Sequence, residues 1–195
     1  SWLHTFLVKG RGMSENEMKT YSALPFIVGA CGNLFGGFLS DSLCQRFGLR
    51  IGRRTVGSVG LALSGVCMLM TAYTPDRFSA VILLALGYGA MDCMLPVSWA
   101  ICLDIGKRYA GAVSGSMNMA GQLGSFASSV AFGYLVQAYG SYDTPLKIFS
   151  VFLFVSAILF TQIDPTEELP LAEPKPGELP LAVPPLSGVQ IAAGS

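Results

Sequence analysis

The sequence predicts an all-α membrane protein, and three observations carry the prediction. Hydrophobic residues make up 52% of the chain and charged residues 12%, where an ordinary globular domain carries roughly 25% charged residues. The charges are gathered into short elbows, leaving charge-free runs between Lys19 and Asp41, Arg54 and Asp76, Arg108 and Asp143, and Lys147 and Asp164. The runs read at the length of a bilayer-crossing helix, about 20 residues, and show none of the period-two alternation of a membrane barrel. A charge inside such a run would cost on the order of 2.5–3.5 kcal/mol, which is why the elbows mark the segments.

Taken in order, Ser1–Leu7 is apolar with no basic lead or cleavage site, so it reads as the end of a helix cut within its length and not as a signal peptide. Whole helices are expected near 20–40, 55–74, 78–102, 109–137 and 146–163. The third carries Asp92 and also Pro96, which removes a backbone hydrogen bond and can bend it. Residues 1–164 are therefore expected to form a transmembrane bundle. Beyond Asp164, prolines dominate and Glu168-Leu-Pro-Leu-Ala172 recurs as Glu178-Leu-Pro-Leu-Ala182, so 165–195 reads as a disordered tail. Arg46, Arg50, Arg53 and Arg54 in one elbow, with Lys107 and Arg108 in another, place both elbows and the C-terminus in the cytoplasm.

Several chemistries are excluded or disfavoured. Zero net charge gives no field for nucleic acid. Cys31, Cys44, Cys67, Cys93 and Cys102 show no C-x-x-C or His pairing, so they read as small buried apolar residues; no metal or other cofactor is expected. No clustered His, Glu and Asp set supports a membrane-embedded enzyme, no catalytic residue is assigned, and His4 receives no role.

Small and polar residues inside the spans carry the remaining signal. Gly29, Gly32, Gly36 and Ser40 form a smooth ridge for close helix packing, and Gly111, Gly115, Gly124 and Ser128 read the same way. Asp41 closes one helix while Arg53 and Arg54 open the next, with Asp104 a second acceptor; together with Arg46 these are the candidate gating network. At about 100° per residue, Ser114, Asn118, Gln122, Ser125 and Ser129 fall on one stripe. Such a stripe must face protein or water, with helix–helix hydrogen bonding as the alternative use. Tyr88, Asp92 and Trp99 recur at four and seven residues, setting Asp92 and Trp99 on one face about 10 Å apart along the axis. Asp92 is a lone carboxyl at bilayer depth and the candidate proton-coupling residue; the alternative is a structural carboxyl, hydrogen-bonded or paired with a cation.

Two motifs resemble a known family. Gly37-x-x-x-Asp41 followed by Gly52-Arg53-Arg54 resembles the inter-helix signature in the second half of the major facilitator superfamily, with Ser42 where that family places a basic residue. Trp99-Ala-x-x-x-Asp104-Ile, then Tyr109-Ala-Gly-x-Val-Ser-Gly115-x-x-Asn118-x-x-Gly-Gln-x-Gly124, resembles the tenth and eleventh helices of its anion:cation symporter family, the sugar-acid and organic-anion carriers. Ile163-Asp164-Pro165 fits the exit of that family's twelfth helix, so the resemblance covers residues 1 to about 165.

The resemblance implies a C-terminal six-helix bundle whose first helix, the seventh of the whole, is truncated and whose others are helices eight to twelve. It implies that Trp99 and Asn118 bind substrate, the indole on its carbon skeleton and the amide on its oxygens; helical spacing adds Gln122, Ser114 and Tyr88 as further substrate-binding candidates. The implied function is proton-coupled secondary transport of a small organic anion by alternating access, in a bacterial inner membrane. The missing N-terminal half is the expected partner. It would supply the cation that clamps a carboxylate, because no arginine lies inside the spans. Rival readings are a drug exporter of the same superfamily, which would want a more apolar stripe, and a truncated remnant.

Overall fold

Helix is the way a low-charge chain can satisfy its backbone without water. In the computed structural model, the described residues are 6–10, 12–14 and 21–169, and all regular structure among them is helical. A π-helical turn, Phe6–Gly10, precedes α1 (Leu24–Phe47), α2 (Leu49–Tyr73), α3 (Arg77–Asp92), α4 (Met94–Gly106), a 3-10 turn at Lys107–Tyr109, α5 (Ala110–Tyr139) and α6 (Asp143–Phe160). Of the segment expected at 1–7, only Phe6 and Leu7 are described; His4 lies outside the described residues.

Among the described residues, four helical stretches are long and apolar enough to cross a membrane: α1, α2, α6 and a 63-residue run from Arg77 to Tyr139. Straight, that run would reach about 95 Å, some three bilayer cores. It instead folds back at Lys107, whose φ is 42°, so that α4 and α5 pack on each other. The run is thus long enough for two crossings.

Two expected boundaries move, each for a local reason. The charged elbow from Asp41 to Arg54 is helix throughout except Gly48, because charged side chains near a membrane surface can reach water without stopping the backbone. What stops it is Gly48 itself, at φ 87° and ψ 161°, a conformation open essentially to glycine alone. The helix expected at 78–102 is two helices interrupted at Cys93. Pro96 lacks the N–H that would pair with the Asp92 carbonyl, so the break falls a turn before the proline. The opposite end of α3 is set by Asp76, whose Oδ2 accepts from the Ser79 backbone N–H at 2.8 Å.

Helix α2 is central and touches α1, α3, α4 and α6, while among the described helices α5 rests chiefly on α4 and α6. One core gathers Phe6, Leu7, Val81, Leu84, Phe132 and Leu146. A second gathers Val56, Leu61, Val97, Ile101, Ala157 and Phe160. Between them small residues let backbones meet: a Cβ on Gly32 would strike the Gly89 carbonyl, and one on Gly36 the Cys93 backbone. The glycines of α5 do not behave this way. Nothing among the described residues lies within 4 Å of a Cβ placed on Gly111, Gly115 or Gly124, and Phe132 is the only buried residue of α5, because no described helix covers its middle. The cysteines, expected to be buried, are so only in part: Cys67 and Cys102 are buried, Cys44 and Cys93 half-buried, and Cys31 exposed.

Candidate functional site

The arginine-bearing end is built by helical spacing across the one-residue turn. Arg50 and Arg54, four apart, share a face of α2, and Arg53 points about 100° away from Arg54. Arg53 is only 12% exposed and ties three helices together. Its Nη1 donates to Ser40 Oγ and to Asp41 Oδ1, each at 2.9 Å, and its Nε donates to Asp104 Oδ2 at 3.3 Å. Arg54 turns the other way, donating to the Ile163 and Gln162 carbonyls. Arg46 is exposed and forms no ion pair among the described residues, so the geometry leaves it outside the network.

The chain past α6 continues in an ordered strap beyond the expected boundary at 164. Asp164 Oδ2 pairs with Arg50 at 3.0 Å and Arg54 at 3.8 Å, Pro165 is fully buried, and the Leu169 N–H donates to the Ile105 carbonyl at 3.0 Å. Lys107 reaches Glu168 at 3.3 Å. Residues 170–195, the remainder of the expected tail, lie outside the described residues. The Thr166 hydroxyl and backbone N–H, followed by Arg50 and Arg54, hold the Asp164 carboxyl below the usual carboxylate range. A carboxyl held low contributes its stabilisation above the ordinary carboxylate pKa and loses it as pH falls through the depressed value. The strap should therefore stay closed at neutral pH and open only in stronger acid than an ordinary carboxylate needs. Asp164→Asn should open it at neutral pH, read as faster hydrogen exchange at the Leu169 amide; unchanged exchange would rule out the anchor.

The mid-span polar groups lie elsewhere. Tyr88 and Asp92 on α3 share an open groove of about 500 Å³ with Phe26, Ala30, Asn33 and Leu34 on α1. Phe26 and Tyr88 meet edge to face, their ring centroids 6.0 Å apart. Gly29 lies directly under Asp92: a Cβ there would be 2.6 Å from Oδ2. Asn33 was missed by the sequence reading, although it is the sole amide in the charge-free run after Lys19, and that isolation was the available signal.

The other candidates are not drawn into this groove. Trp99 is 42% exposed and outside it. Its neighbour Ser98 lines a second, mainly apolar cavity of about 540 Å³ with Met94, Cys102, Met117 and Phe160. Ser114 donates back to the Ala110 carbonyl at 2.6 Å, while Asn118 and Gln122 are exposed with no hydrogen-bond partner among the described residues. Ser128 and Ser129 both donate to the Ser125 carbonyl at 2.9 Å. The Tyr88–Asp92 groove and the polar stripe of α5 are thus separate surfaces, and Trp99, expected on one face with Asp92, lies beyond the break at Cys93 and does not line the groove. Among the described residues no group of three or more His, Cys, Asp or Glu could hold a metal.

Comparison with known proteins bears on these surfaces. The profile of the Major Facilitator Superfamily matches residues 2–192. A protein named "Probable sulfoacetate transporter SauU" from Cupriavidus necator is 36% identical over 185 residues, covering 94% of this chain and 43% of that protein. "Probable galactarate/D-glucarate transporter GudP" of Bacillus subtilis is 31% identical over 165 residues, 81% of this chain and 34% of its own length. "Probable galactarate/D-glucarate transporter GarP" of Escherichia coli is 28% identical over 166 residues, 82% and 35% respectively. The chain spans less than half the length of these curated relatives.

Proposed function

This chain belongs to the Major Facilitator Superfamily, and from that premise we propose that it forms the C-terminal bundle, from the end of helix seven through helix twelve, of a secondary transporter for a small organic anion. The observation that carries the reading is the pair of bare amides, Asn118 and Gln122, on a helix whose only buried residue is Phe132. Amides at bilayer depth need protein or water beside them. A second bundle facing α5 across a wet cavity answers that need, and relatives named for sulfoacetate and for galactarate/D-glucarate supply the class of cargo.

In this reading Trp99 packs on the substrate's carbon skeleton, and Asn118, Gln122, Ser114 and Tyr88 bond its oxygens. Asp92 takes up and releases the coupling proton. Arg53, held by Asp41 and Asp104, latches the cytoplasmic ends of α1, α2 and α4 during alternating access, and the strap and C-terminus lie on that same side of an inner membrane.

The test is uptake of labelled glucarate and sulfoacetate into vesicles carrying the full-length transporter that contains this chain. Uptake of either, driven by an inward proton gradient, is expected; uptake of neither overturns the reading. In that protein Asp92→Asn should abolish gradient-driven accumulation while leaving substrate exchange intact. Wild-type pH dependence in the mutant would remove Asp92 from coupling.

A further inference from the structure

Two side chains on one face of α4 forgo the bond that a helix offers them. Ser58 and Ser129 donate to the carbonyl four residues back, at 2.7 and 2.9 Å, and the Cys93 thiol does the same to Gly89 at 3.3 Å, the ordinary local use of such groups. Ser98 instead donates to the Met94 sulfur at 2.7 Å, and Cys102 reaches across to α5, its Sγ 3.4 Å from the Met117 sulfur. Met94, Ser98 and Cys102 follow one another at four-residue steps and so share a face of α4. With Met117 they line the same cavity of about 540 Å³. Sulfur placed only as filler closes the space around it, whereas these three sulfurs look into one that stays open.

We propose that Met94, Cys102 and Met117 form a binding site for a soft monovalent metal ion, of the copper(I) and silver(I) kind, that staples α4 to α5. Thiolate and thioether donors select soft ions. The described lining of the cavity includes no carboxylate or imidazole, the donors that would draw harder ones. A metal–sulfur length of about 2.3 Å, as in zinc thiolates, lets one ion bridge two sulfurs 3.4 Å apart at a bent angle. Met94, with three rotatable bonds, can swing in as the third donor. Binding replaces the Cys102 S–H bond with a sulfur–metal bond and releases the proton to solvent, with no change of oxidation state. Ser98 adjoins Trp99 and Met117 adjoins Asn118, so a bound ion fixes the spacing of the two helices that carry those side chains. A further consequence rests on the transport reading above: the ion slows turnover. The binding itself does not depend on that reading.

Silver(I) is the probe, because it is soft and air does not oxidise it. The full-length transporter is purified, loaded with Ag(I) in chloride-free buffer and dialysed against excess of a simple monothiol, so that an ion stays only where it is held more tightly than by one sulfur. Wild type should keep one Ag(I) more per molecule than Cys102→Ala, and one more than Met117→Leu. Leucine nearly conserves the volume of methionine, so this variant removes the thioether and keeps the packing; Met94→Leu repeats the test from α4 if Met117→Leu does not fold. Equal silver in wild type and Cys102→Ala overturns the site. So does equal silver in wild type and the leucine variant, which would make Cys102 a lone thiol. In vesicles, the retained silver should slow wild-type uptake of labelled glucarate or sulfoacetate about tenfold, a usual size of coupling between sites, and leave Met117→Leu within about twofold of its metal-free rate. Silver that binds without slowing uptake overturns the effect on turnover. Metal-free vesicles that take up neither compound overturn the transport reading, a different failure that the silver count does not share.

Discussion

Gly32→Ala should destabilise the transporter by about 1–3 kcal/mol, the usual cost of overfilling a packed contact, and should remove most of its transport. The added Cβ would land on the Gly89 carbonyl, and backbone cannot swing aside as the tip of a side chain can. Helices α1 and α3 must separate, and the groove that Asn33 and Asp92 share opens with them. Gly37→Ala is the matched control on the same helix, since its Cβ meets only the Pro96 ring at 3.6 Å, an ordinary contact. In an exposed helix interior, alanine for glycine is favourable by up to about 1 kcal/mol. Thermal unfolding of purified full-length protein should separate the two, with Gly32→Ala melting clearly lower and Gly37→Ala at or above wild type. Equal melting temperatures would mean that the contact is looser than the geometry says.

Arg53→Met should cost about 2–3 kcal/mol, the scale of leaving partly buried charge partners unpaired. Arg53 is 12% exposed, and Asp104, at 24%, has little water to take its place, whereas Asp41, at 66%, rehydrates readily. The loss therefore falls mostly on α4. Arg50→Met is the contrast: its side chain is 57% exposed, and an exposed pair is worth at most about 1 kcal/mol. Adding Asp104→Asn to Arg53→Met should recover part of the stability, because the stranded charge is gone. If Arg53→Met and Arg50→Met melt alike, Arg53 is no latch.

Much of this fold is readable from spacing because a bilayer punishes misplaced charge so heavily. The gaps between charges locate the helices, and the run Gly29, Gly32, Gly36 announces the close approach of α1 to α3 and α4. What escaped detection depends on partners far along the chain or outside it. Asp41 to Arg54 reads as a loop by composition, yet helix tolerates those charges at the surface and one glycine makes the turn. The break at Cys93 is displaced from its cause at Pro96, since a proline disturbs the carbonyl a turn behind it. Asn33 gains meaning only once Asp92 is seen across the seam. The glycines of α5 look like a packing ridge in one dimension, but no described helix comes near them. The strap hides inside a proline-rich stretch whose composition argues for disorder, while Asp164 and Leu169 each find an anchor more than fifty residues away in sequence.

The single residue joining α1 to α2 has a mechanical consequence. Gly48 offers two soft dihedrals, and both are committed to making the turn, with Gly52 N–H donating to its carbonyl at 3.0 Å and its own N–H bonded to the Cys44 carbonyl at 3.0 Å. A one-residue turn bonded on both sides leaves little slack, and α1 and α2 also pack directly on each other. The long run from Arg77 to Tyr139 is interrupted at two points, Cys93, a turn before the proline whose missing N–H deprives the Asp92 carbonyl of its helical donor, and Lys107, where the chain doubles back. Between those points α4 is a short lever bearing Trp99, and the Arg53–Asp104 pair and the Leu169–Ile105 bond both hold it at its charged end.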